Sequence, residues 1–215
     1  ETGVGKQLFA RAVHELKRPQ KPFIEVNAAG IPFELVENEL FGHKKGAFTD
    51  AHGEYQGKFL LANRGTLFLD EIGDMPTLTQ AKILKAMEEK AFTPIGSTTP
   101  VRVDVQIIAA TNCDISLGIR DSKLRKDLFY RLGVHVRIPP LRERMDDIKL
   151  LVEHFFVEYA EEECIPQISE DAWTALRAHP WPGNIRELRR MCQTAVYSGK
   201  EIVGANDFFP LCAMP

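Results

Sequence analysis

Four short apolar runs rich in β-formers, residues 22–27, 65–70, 105–110 and 134–138, alternate along this chain with stretches of helical periodicity. That alternation restricts the fold more than any other feature. Strands joined through helices return to the sheet as parallel neighbours, and parallel strands need helices over both faces, so the pattern predicts an α/β architecture with a mostly parallel sheet. Residues 7–17 offer Leu8, Val13 and Leu16 for the buried side of one helix, and residues 78–90 offer Leu78, Ala81, Ile83, Leu84 and Met87 for another. The proline- and glycine-bearing stretch 94–101 reads as the tip of a surface hairpin.

Pro139-Pro140 can neither continue a strand nor sit deep in a helix, and it divides an α/β unit, residues 1–138, from a small all-helical unit, residues 139–215. In the second unit, residues 146–161 place Ile148, Leu151, Val152, Phe155 and Phe156 on a helical period. Ser169 is expected to cap a helix over 170–178, and Asn184 one that runs to about 198. The run Glu161-Glu162-Glu163 reads as a solvated helix end. A net charge of -3 implies no general attraction to nucleic acid or an anionic membrane. Cys113, Cys164, Cys192 and Cys212 lack metal-ligand spacing and are expected to be free thiols of a reducing compartment. No apolar run approaches the roughly 20 residues that span a bilayer. With no initiator Met, the chain reads as a soluble fragment.

The chemistry-bearing residues begin at the first position. Glu1-Thr2-Gly3-Val4-Gly5-Lys6-Gln7 matches the last seven positions of a phosphate-binding loop and precedes a helical pattern. Backbone N–H groups of such a turn converge on the β-phosphate, the helix N-terminus adds its dipole, and Lys6 adds a full charge. A lone Gly-Lys is usually just a turn. Here an apolar strand follows at 65–70 and delivers Asp70 and Glu71 at its C-terminal end, where parallel sheets bind ligands. One acid can hold Mg²⁺ through water while the next polarises the attacking water, roles that fall to Asp70 and Glu71. Gln7 replaces the usual hydroxyl ligand, which leaves a Mg²⁺ contact to water or Asp70. Thr111-Asn112 ends the following strand and Asn27 an earlier one; alone, either asparagine would be read as a turn residue.

Gly46-Ala47-Phe48-Thr49-Asp50-Ala51, preceded by Glu39-Leu40-Phe41-Gly42-His43-Lys44-Lys45, closely resembles the signature loop of bacterial enhancer-binding proteins, the AAA+ ATPases that activate sigma-54 RNA polymerase. The segment 124–132 resembles the one that carries that family's arginine fingers, and Trp181-Pro182-Gly183-Asn184-Ile185-Arg186-Glu187-Leu188 matches its lid motif. The resemblance spans nearly the whole chain. It implies a P-loop AAA+ three-layer sandwich with a helical lid, ATP and Mg²⁺ as ligands, and a cytoplasmic, homo-oligomeric, hexameric ring. By the same resemblance Asn112 is the sensor beside the γ-phosphate, and Asn27 pairs with the catalytic glutamate. Arg125 and Arg131 reach the neighbouring subunit's nucleotide, and Arg186 faces the nucleotide from the lid. The loop from Gly46 to Ala51 contacts sigma-54 in the polymerase holoenzyme, and DNA is bound only by a domain outside this chain. Asp50 stands where glycine is usual, and it supports an alternative: a nucleotide-controlled oligomerisation module that no longer engages sigma-54. A DNA-reading helix-turn-helix over 169–196 is disfavoured by the long, proline-rich link at 179–183.

Overall fold

The computed structural model describes residues 1–49, 51–160 and 165–209. Asp50, the acidic run at 161–163, Cys164 and Cys212 lie outside them. The chain divides into two compact units, Lys6–Val136, and Glu1–Gly5 together with Arg137–Pro215. The first five residues thus group with the helical unit, whereas the sequence placed them with the sheet.

The larger unit is built in the order α1 (Lys6–Lys17), β1 (Phe23–Asn27), α2 (Val36–Phe41), β2 (Gly42–His43), β3 (Tyr55–Gln56), α3 (Lys58–Leu61), β4 (Thr66–Asp70), α4 (Thr77–Glu89), β5 (Ala91–Phe92), β6 (Val101–Arg102), β7 (Gln106–Ala109), α5 (Ile115–Arg120) and α6 (Lys126–Leu132). Its sheet is parallel, in the order β1-β4-β7. Side chains alternate across a strand. On one face of β4, Leu67 and Leu69 enter a core with Leu40, Phe59, Ile83 and Leu128 from α2, α3, α4 and α6. The other face meets α1, where buried His14 bonds Thr66 Oγ1 at 2.8 Å and the Phe23 ring lies between His14 and Phe68. These are the three expected layers. Residues 134–138 form no strand: Val134 and Val136 are exposed, and without a neighbour to share a ladder, β-forming side chains do not suffice.

Two helix faces also differ from expectation. α1 buries Ala10 and His14, while Leu8 and Leu16 are exposed. α4 leaves Leu78 exposed and buries Thr79 and Gln80 beside Ile83 and Ala86. Apolar periodicity missed Gln80 because its value is polar: the carboxamide donates to Met75 O at 3.0 Å and Lys123 O at 2.7 Å and accepts from Arg125 N at 3.0 Å, tying three turns together.

The smaller unit carries α7 (Asp147–Tyr159), β8 (Gln167–Ile168), α8 (Glu170–Ala178), α9 (Asn184–Val196), β9 (Ile202–Val203) and α10 (Ala205–Phe208). It is not wholly helical, because β8 and β9 pair in parallel. Ile148, Val152, Phe155, Phe156, Leu188 and Trp181 share its core. Trp181 is fully buried and donates from Nε1 to Leu176 O at 3.0 Å. Truncating such a residue costs about 3–5 kcal/mol, a large share of a typical domain's stability. Ser169 occupies the N-cap position of α8, yet its hydroxyl donates to Val203 O at 3.0 Å, so it ties the helix to β9 and does not cap it. Gly183, not the expected Asn184, holds the N-cap position of α9: Glu187 Oε2 accepts from the Gly183 N–H at 2.8 Å, while Asn184 is the first helical residue and its Oδ1 accepts from Leu141 N.

Candidate functional site

In the sheet unit, the C-terminal ends of the three strands bring the predicted polar residues to one edge. The register sets Asn27 beside Asp70 and Leu69 beside Ala109. Directly after β4 the chain turns sharply at Glu71, a non-glycine residue in the left-handed region with φ 54° and ψ 52°. Such backbone costs on the order of 1–3 kcal/mol and clusters where function needs it. Both carboxylate oxygens of Glu71 are engaged: Lys6 Nζ lies 2.9 Å from Oε1, and Asn112 N donates to Oε2 at 2.8 Å. The Lys6 and Glu71 side chains are only 15% and 12% exposed, so the pair is shielded from the screening that makes surface ion pairs weak. Asp70 Oδ1 accepts from Glu71 N at 3.2 Å. Asn27 uses its carboxamide oxygen to cap the turn at Ala29 N, 3.1 Å away. Gln7 donates to Glu25 Oε2 at 2.5 Å, a partner the sequence reading missed because a lone strand glutamate carries no motif.

The helical unit holds the other residues of the predicted phosphate loop, Glu1–Gly5. Asn184 is fully buried: its Oδ1 accepts from Leu141 N at 2.8 Å, and its Nδ2 donates to Thr2 O and to Glu1 Oε2, each at 3.0 Å. Ile185 N donates to Gly3 O at 3.0 Å, and Arg144 Nη2 to Val4 O at 2.6 Å. Arg142 meets both Glu1 carboxylate oxygens, at 2.5 and 3.0 Å. Those bonds, Arg142 first and Asn184 second, pull the Glu1 carboxyl down to about 2. Gly3 has φ 77°, and a Cβ there would sit 2.5 Å from Gly183 O and 3.2 Å from the Arg186 Cβ, so only glycine fits against the start of α9. Exposed Arg186 therefore stands beside the loop. Arg142 and Arg144 were missed; the only signal was two arginines just after the double proline.

The loop from Gly46 to Ala51 joins β2 to β3, which pair antiparallel. Phe48 is 46% exposed, with its ring edge-on to His43 at 4.8 Å, and Thr49 is exposed. Ala51 is buried and bonds to Phe48 O and Gly46 N, so it braces the loop and offers no surface. Arg125 is held by Asp127 through Nε at 3.0 Å and Nη2 at 2.7 Å. Arg131 is exposed and has no hydrogen-bond or ionic partner among the described residues.

Comparison with known proteins agrees with this geometry. Residues 1–137 match the model of the sigma-54 interaction domain, and residues 142–213 match that of an AAA+ ATPase lid domain. The chain is 48% identical over 203 residues to the DNA-binding transcriptional regulator NtrC of Rhizobium meliloti (strain 1021), covering 92% of this chain and 42% of that protein. It is 46% identical over 220 residues to the regulatory protein AtoC of Escherichia coli (strain K12), covering 100% and 48%. The crystal structure of NtrX from Brucella abortus in complex with ADP superposes with a TM-score of 0.86 at 39% identity, over 96% of this chain and 47% of that one. The chain thus spans less than half the length of these relatives. Together, the two matched models and the parallel sheet flanked by helices place the chain in the sigma-54 interaction domain family of AAA+ proteins.

Proposed function

We propose that this chain is the ATP-hydrolysing engine of a sigma-54-dependent transcriptional activator. The observation that carries it is the buried Glu71 carboxylate, fixed by Lys6 and Asn112 at the ligand-binding edge of a parallel sheet. A carboxylate held at both oxygens has a defined direction, as a group that polarises one attacking water requires. ATP competes for Lys6: a phosphate is the stronger partner for an ammonium, and its arrival frees Glu71 Oε1 to accept from water. Asn112, whose N–H anchors the other oxygen, keeps the carboxylate from swinging away. Solved NtrX structures carry ADP and ATP, which supports a nucleotide here.

The described residues hold no cluster of three or more His, Cys, Asp and Glu suited to a metal. One strand-end carboxylate fits Mg²⁺, which retains waters and borrows phosphate oxygens. Asp70 would hold it through water, and when bound it neutralises charge on the phosphates. Gln7, turned to Glu25, takes no part. Asn27, beside Asp70 and engaged with Ala29 N, would have to exchange that bond to reach Glu71.

Arg131 supplies the finger to a neighbouring subunit of a ring; its exposure supports this role, whereas Arg125, at the opposite end of the same helix, is braced by Asp127. Hydrolysis moves the Phe48 loop against sigma-54 and drives the closed promoter complex open. The protein works in the bacterial cytoplasm; no described helix is long and apolar enough to cross a membrane. The test is open-complex formation by sigma-54 polymerase with the intact protein: it should need both the protein and hydrolysable ATP. ATP turnover with no open complexes would favour the oligomerisation module instead.

A further inference from the structure

Three consecutive peptides of the loop at Glu1–Gly5 are gripped by their carbonyl oxygens. Asn184 Nδ2 holds Thr2 O, Ile185 N holds Gly3 O, and Arg144 Nη2 holds Val4 O. In a trans peptide the C=O and N–H point in opposite directions across a rigid plane. Fixing those three carbonyls therefore fixes the N–H groups of Gly3, Val4 and Gly5 on the far side. Those donors are the ones a phosphate-binding turn must aim together. Left-handed φ at Gly3 and Gly5, 77° and 98°, completes the geometry.

We propose that Arg144 and Asn184 are positioning residues for nucleotide binding: they aim the loop's N–H groups by holding its carbonyls, and they set ATP affinity without touching ATP. The inference rests on the ATP reading given above. Asn184 is well suited to the task, because Leu141 N occupies its Oδ1 and so leaves Nδ2 as the only edge of the amide that can face the loop. Arg144 fits for a different reason. Its Nε is buried with no hydrogen-bond partner among the described residues, so Arg144 carries a cost to folding while its Nη2 reaches Val4 O.

The experiment uses the intact protein, a fluorescent ATP analogue for binding and steady-state ATPase kinetics. Arg144→Lys keeps the charge but loses the fork, and Asn184→Asp keeps the acceptor for Leu141 N but loses the donor. Each should raise Kd for the analogue and KM for ATP by about tenfold, the effect of one lost hydrogen bond, with kcat at saturating ATP close to the parent's. Arg144→Ala should raise them further; if it fails to fold, Arg144→Lys alone decides. Unchanged Kd and KM in both conservative variants, with the parent binding normally, would overturn the proposal. So would a fall in kcat and melting temperature at constant KM, which is the mark of a purely structural role. A parent that bound no analogue would overturn the ATP reading itself, an outcome distinct from either.

Discussion

Glu71 shows how one residue joins backbone strain to chemistry. Its left-handed φ and ψ turn the chain immediately after β4, and the same turn presents its carboxylate to Lys6 Nζ and Asn112 N. Glu71→Gln preserves shape and one acceptor but removes the charge proposed to polarise water. It should bind ATP like the parent while hydrolysis falls by a factor of 10² or more, roughly the scale of a lost general base. Lys6→Ala, by contrast, should abolish binding in an equilibrium titration, since the β- and γ-phosphates lose their cation. Turnover at the parent rate by Glu71→Gln would remove Glu71 from the role. Glu1 offers a prediction in pH. Its folded carboxyl lies near 2, below the ordinary carboxylate value of 4.5, so its bonds to Arg142 and Asn184 stabilise the fold above about 4.5 and are lost as pH falls toward 2. The melting temperature of Glu1→Gln should therefore lie below the parent's at pH 6, and the gap should narrow by pH 3. A gap that widened on acidification would contradict the assignment. Because Glu1 is exposed, added salt should also narrow it.

At the scale of elements, sequence periodicity found the buried sides of β4 and α7 and missed that of α1. β4 is buried on both faces and reads as an unbroken apolar run, so it and its acidic end were legible. α1 touches the sheet with one narrow stripe, and there a histidine and an alanine do the work while two leucines face out, which no count of apolar residues could foretell. Residues 134–138 have strand composition but no ladder. The Phe48 loop was recognised by its letters; its supports were not. Two hairpins brace each other there: Ile95 N donates to Gly42 O at 2.9 Å and Lys44 N to Ile95 O at 3.0 Å. Gly42, at φ 70°, has no room for a side chain, since a Cβ would meet Tyr55 O at 2.2 Å. Gly42→Ala should thus unseat the β2–β3 hairpin beneath Phe48, seen as faster hydrogen exchange at residues 42–49 while the amides of β4 keep their protection. Equal protection in both proteins would show that the loop does not depend on this approach.

On the scale of the whole molecule, the parts read from sequence as separate motifs are distributed over two compact units, with the first five residues in the helical one. That division was not legible, because it depends on hydrogen bonds to backbone carbonyls, which leave no trace in side-chain pattern. The arginine fingers were visible only through resemblance, and their proposed partner is a second copy of the chain. Arg131→Ala should leave nucleotide binding intact and lower hydrolysis by about 10³, and mixing it with Glu71→Gln subunits should restore part of the activity at interfaces that join the two intact halves. No recovery in verified mixed rings would argue against a site shared between subunits. In the proposed function, ATP turnover and sigma-54 engagement are separate duties joined through one half-exposed phenylalanine. The measurement that bears on this most directly is open-complex formation by sigma-54 polymerase with Phe48→Ala, run beside the parent at matched ATPase rate. ATP hydrolysis should be undiminished and open complexes abolished; normal open-complex formation by Phe48→Ala would rule out the proposed role of the loop.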